Sequence, residues 1–224
     1  MQNHKRAFMR GLFGVFGVGA MAASSGVQAQ GARGWSPAME PQDNWLDDTP
    51  ARHRQVFDTI SAEGVARALT FTHTFYAANK EAYGIESRDL AVVMILRAGS
   101  TGFGFNDTIW SKYSAGLAKR YKVTDPVTKS APVINIYNAA DRAILLPTNG
   151  LTLEALARMG GRFAICSVAS RKLAAALAAD IGGSADAIYA EMAANMVANA
   201  RMAPAGIVAV NRAQEHHYAL CYAG

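Results

Sequence analysis

Cysteine is nearly missing from this chain: 224 residues contain only Cys166 and Cys221, so at most one intramolecular disulfide can form. Metal-ligand patterns are missing too. The adjacent His216 and His217 have Glu215 beside them but no cysteine at ligand spacing, and neighbouring side chains diverge. They read as a solvated strand start, and no metal is expected. The Gly/Ser/Thr loop at residues 97–107 lacks the lysine and spacing of a P-loop and does not match the dinucleotide fingerprint, so no cofactor is expected. Charge is thin at 17% of residues. Removal of residues 1–29 takes away Lys5, Arg6 and Arg10 with no acid, lowering the formal net charge from +5 to +2, which gives little reason to expect nucleic-acid binding. Hairpin signals are few. The apolar run at residues 11–23 is too short and too Gly-rich for a committed membrane span.

That run follows the basic head Lys5-Arg6-Ala7-Phe8-Met9-Arg10 and leads to the small residues Val27-Gln28-Ala29, the pattern of a secretory signal cleaved after Ala29. The head resembles the twin-arginine export signal, with Lys5-Arg6 in place of two arginines. The twin-arginine route implies export in a folded state and the ordinary secretion route stays open beside it; by either the expected destination is the periplasm, with no membrane span after cleavage. The remaining 195 residues suit one domain with a sizeable core.

Residues 30–50 carry Gly, Pro, Asp and Asn and read as an extended arm lying over a domain at 51–224, with Trp45 and Leu46 as its contact. Residues 54–58 read as a first strand. Residues 62–83 have helical spacing closed by Gly84, and the unbroken apolar run at 90–96 belongs to an inner parallel strand covered on both faces. A helix is expected from Asn106 through Leu117. Residues 121–150 have no clean period and only a short extended candidate at 133–137, an excursion suited to capping a site or meeting another subunit. A helix at 151–159, a strand at 162–165, Ala-rich helices at 167–180 and 184–199, a short strand at Met202-Ala203, a helix at 206–215 and a strand at 217–222 complete the reading. Alternating strands and helices predict a single three-layer α/β domain with a mainly parallel sheet of about five strands.

The chain is organised around residues 160–173, where the strand at 162–165 passes through Cys166-Ser167 into a long helix. A thiol there sits at a strand's carboxyl end beside a helix's first turn, where unpaired amides and the helix dipole favour an anion. A cysteine ending a core strand also serves as a small buried hydrophobe. Strand ends at Asp58-Thr59, Arg97 to Ser100 and Cys166-Ser167 converge on one edge, the usual ligand position of open α/β sheets. On this reading Cys166 is a reactive, nucleophilic thiol. Ser167 and the loop amides of Gly99, Ser100, Thr101 and Gly102 hold an anion, and Arg97 favours the thiolate. The same loop also reads as a permissive turn with no ligand. Asp58 either orients a substrate or base or caps the following helix. His73 reads as a hydrogen-bonded core or surface residue, and Met192 and Met196 as core filler.

The run Gly161-Arg162-Phe163-Ala164-Ile165-Cys166-Ser167-Val168-Ala169-Ser170-Arg171-Lys172, with residues 202–210 and 214–220, resembles the DsrE-like family of small α/β proteins, which includes sulfur-relay subunits. The resemblance spans roughly residues 54–222. It implies that Cys166 carries sulfur as a persulfide, with Arg171-Lys172 similar to a basic pair that follows the family's cysteine. It also implies a small sulfur-containing molecule or anion as partner, and a homo-oligomer. The rival reading is a non-enzymatic binding or assembly subunit in which Cys166 is inert core. Cys221 falls in mid-strand on a small-residue face while Cys166 ends its strand, so no bridge between them is expected.

Overall fold

A computed structural model describes residues 36–224. The export signal at 1–29 and the start of the arm, Trp35 included, lie outside the described residues. In chain order the elements are β1 (His53–Thr59), α1 (Ala62–Tyr83), β2 (Leu90–Leu96), α2 (Asp107–Lys112), α3 (Ser114–Tyr121), α4 (Ala140–Ala143), α5 (Leu153–Arg158), β3 (Arg162–Cys166), α6 (Ser167–Ile181), α7 (Ala185–Ala194), β4 (Ala200–Ala203), α8 (Gly206–Glu215) and β5 (Ala219–Tyr222). The five strands form one sheet in the order β4-β3-β2-β1-β5 with every pairing parallel, flanked by helices on both faces. No helix among the described residues is long and apolar enough to cross a membrane.

β2 lies at the centre, and all seven of its residues are buried, as an uninterrupted apolar run requires when both faces are covered. Leu90, Val92, Met94 and Leu96 enter the larger core, with Val65 and Leu69 of α1, Trp110 of α2, Leu117 of α3 and Leu173 and Leu177 of α6. Ala91, Val93 and Ile95 alternate to the other face, where Ala164 of β3 and Ala209, Val210 and Ala213 of α8 join them. The smaller side chains on that face let a single helix lie close.

Local signals fix the helix ends. Ser61 Oγ accepts the Gly64 amide 2.9 Å away at the start of α1, and Gly84 closes the helix at φ 66°. Asp58, read above as a possible cap, does not serve α1; that role belongs to Ser61. Ser184 caps α7 as expected.

Four expected elements are corrected. The helix from Asn106 breaks at Tyr113 into α2 and α3, because Tyr113 is buried and its hydroxyl donates to Glu191 on α7. α7 ends at Ala194 rather than at residue 199. The chain beyond it is drawn into pairing with the loop after β2, where Asn106 N donates to Asn195 O and Val197 N to Gly104 O. Residues 133–137 form turns, not a strand, and Asn135 is fully buried beneath the excursion. The arm carries a 3-10 helix, Pro41–Leu46, in place of extended chain.

Leu46 of that short helix is buried as expected. The segment is also held electrostatically. Asp43 pairs with Arg212 at 3.5 Å, Asp47 with Arg54, and Asp48 with Arg162 at 3.0 Å. The His pair divides: His217 is exposed, but His216 is buried with Nδ1 2.7 Å from Asp47. His216 is therefore a clamp for the arm and not a solvated strand start.

Candidate functional site

β1, β2 and β3 are adjacent, so the ends carrying Asp58, Arg97 and Cys166 do meet at the carboxyl edge of the sheet. Asp58 and Arg97 lie on the face covered by α8. The Arg97 guanidinium donates from Nε and Nη2 to the two Asp58 oxygens, both at 2.7 Å, a bidentate pair in which Asp58 is buried and Arg97 is partly open. Asp58 makes Arg97 hold its proton more firmly, and the nearby Tyr222 hydroxyl and Cys166 thiol add to that hold when ionised.

α8 begins directly over this pair. A Cβ on Gly206 would stand 2.5 Å from Arg97 Cβ, so the close approach requires glycine. Ala205 supplies no side-chain cap, and no acid occupies the first turn of α8. The first amides of that helix are thus left without a side-chain acceptor of their own beside the guanidinium.

Cys166 is the last residue of β3 and at once the N-cap of α6, its Sγ accepting the Ala169 amide at 3.4 Å. It is 7% exposed. An N-cap position is normally filled by an oxygen acceptor. Here the sulfur takes that place, so charge on it would be met by an N–H and by the positive end of a 15-residue helix.

The remaining expected residues are divided. Ser167 hydrogen-bonds the Tyr189 hydroxyl at 2.8 Å, and Arg171 stacks on the same ring with its guanidinium carbon 4.0 Å from the centroid. Gly99 is partly open and, with Ala98, Ala169 and Lys172, borders a shallow depression of about 300 Å³ beside the first turn of α6. Ser100, Thr101 and Gly102 lie under the edge and not on it. They are buried in a 3-10 helix, Ala98–Gly104. Ser100 Oγ is occupied by Thr59, by Arg97 N and by Arg97 O, and Gly102 lies so close to Tyr121 that a Cβ would stand 2.2 Å from the ring. The open part of the loop is therefore Ala98 and Gly99. Tyr222 was missed: the parallel register sets it opposite Asp58, a relation across strands that no local pattern reveals.

Cys221 is on the opposite face and packs against the larger core, and burial pushes its thiol pKa up. Three inter-strand steps separate β3 from β5, about 14 Å at the usual spacing. A disulfide tolerates only about 7 Å between Cα atoms. Both cysteines are free, as expected. Among the described residues, no group of three or more acidic, His or Cys side chains could hold a metal.

Fold and site together define a three-layer α/β protein with a cysteine at the junction of a parallel strand and its helix. No family model, no curated protein and no solved structure matches the chain.

Proposed function

We propose that this is an exported DsrE-like protein that handles a sulfur species or small anion at Cys166, carrying sulfur as a persulfide. The single observation that carries the reading is the Cys166 sulfur in the N-cap of α6, beside an arginine that Asp58 orients. In the transfer step the Cys166 thiolate attacks the outer sulfur of a donor persulfide, R–S–SH. The Sγ–S bond forms, the donor S–S bond breaks, and R–S⁻ leaves with the bonding pair, so no external oxidant or reductant is needed. Arg97 and the first amides of α8 offset negative charge as it shifts. Lys172 beside the depression is placed to attract an anionic donor.

Protein isolated from the cell envelope is expected to begin at Gln30 and to carry a gain of about 32 Da, one sulfur atom, on the Cys166 peptide. After reduction, iodoacetamide at neutral pH is expected to label Cys166 well ahead of Cys221. Equal and slow labelling of both, with no adduct, removes the carrier reading.

The burial of Cys166 to 7% exposure favours a second reading, a non-enzymatic binding or assembly subunit in which the sulfur only caps α6. Slow labelling is that reading's expected result.

We further propose a homo-oligomer. β5 is an edge strand of four residues whose Leu220 and Tyr222 are 44% and 58% exposed, and Ile207 of α8 is 63% exposed. Sedimentation at micromolar concentration is expected to show more than one chain per particle. A monomer there removes the assembly.

A further inference from the structure

The arm helix Pro41–Leu46, strand β4 and helix α8 enclose a cleft of about 340 Å³, at the small end of the range for ligand sites. Two of its lining residues are arginines in different states. Arg212 is satisfied by Asp43 at 3.5 Å and Glu215 at 2.5 Å. Arg201 has no carboxylate partner among the described residues. Its guanidinium lies over the Trp45 indole, 4.9 Å from the ring centroid, and reaches Gln42 O only at 3.5 Å. Asp43, the one acid in the lining, and Glu215 both serve Arg212, so the guanidinium left without a carboxylate in the cleft is that of Arg201. The other walls are apolar, chiefly Met202 and Val208.

We propose that this cleft binds a small, flat organic anion of the aromatic carboxylate class. The Arg201 guanidinium lies over the indole with no carboxylate partner among the described residues, and its N–H fork is the group that takes a carboxylate through two parallel hydrogen bonds. The Met202, Pro204 and Val208 side chains supply area for a planar apolar body. A bare inorganic anion leaves that area uncovered, and a neutral aromatic molecule leaves the Arg201 guanidinium without a carboxylate. The site is separate from the chemistry proposed for Cys166.

The probe is 2-naphthoate titrated into the purified protein by calorimetry. Saturable binding of one molecule per chain is expected. Replacing Arg201 with glutamine should weaken it about tenfold, the value of a charged hydrogen-bonding partner. The neutral isostere 2-naphthalenemethanol should bind weaker by a similar factor, and Val208→Asp, which sets a carboxylate in the cleft, should abolish binding. Arg201→Gln should keep the parent's urea midpoint and its rate of Cys166 labelling, so this proposal and the sulfur reading fail separately. Absence of saturation, unchanged affinity in Arg201→Gln, or displacement by sulfate as effective as by naphthoate each overturns the assignment.

Discussion

Arg97→Ala is expected to destabilise the protein by about 3 kcal/mol, and Asp58→Ala by roughly half as much. The asymmetry follows from burial. The Asp58 side chain is 7% exposed, and removing Arg97 strands a carboxylate that water cannot reach. The Arg97 side chain is 26% exposed, so without Asp58 it can turn to solvent. Urea unfolding of both variants at neutral pH measures the difference. Equal losses would show that the pair is solvated in both directions and that Asp58 is not the buried partner. Arg97→Ala should also slow Cys166 labelling if the guanidinium acts on the thiol, whereas a purely structural pair changes the urea midpoint alone.

The second large effect lies at Asn135. Its Nδ2 donates to Phe103 O at 2.8 Å and Phe105 O at 2.9 Å, its Oδ1 accepts the Tyr137 amide at 3.2 Å, and its own amide donates to Asp107. The side chain is fully buried, so Asn135→Leu keeps the volume and removes three hydrogen bonds from a site without solvent. A loss of about 3 kcal/mol is expected. Residues 121–150 should then become open to trypsin at Lys122, Lys129 and Arg142, while the unfolding transition of the sheet stays cooperative. An unchanged cleavage pattern would mean that Ile136, Tyr137 and Leu153, buried in the core, hold the excursion without Asn135.

These two sites show where the sequence can and cannot be read. β2 and α1 were legible because their information is local: an unbroken apolar run in one, and helical spacing with a closing glycine in the other. The converging strand ends were legible in outline because parallel strands joined by helices must place their carboxyl ends together. The Asp58–Arg97 pair, the place of Tyr222 and the clamp on Asp47 by His216 depend on which strands are neighbours and on pairings across distant parts of the chain. No period in the sequence encodes those relations. The burial of Ser100, Thr101 and Gly102 escaped for a related reason. A Gly/Ser/Thr composition suits an open anion loop and a tight 3-10 turn equally, and Tyr121, from a helix two elements later, covers it. The excursion at 121–150 was opaque because its order comes from isolated buried groups, Asn135 and Asp125 among them, and not from a repeating pattern.

The pairing of β1 with β5 sets a schedule for the newborn chain. Gln55 lies opposite Ala219, 164 positions later. At a synthesis rate of about 5–20 residues per second, roughly ten to thirty seconds pass between the appearance of one strand and of its outer neighbour. β2 and β3 can join β1 meanwhile, yet the other side of β1 keeps a row of unpaired amides and carbonyls on a strand that carries Val56 and Phe57. That side of β1 is covered only when β5 has been made, so the pace of the ribosome decides how long the sticky border is shown to other nascent chains.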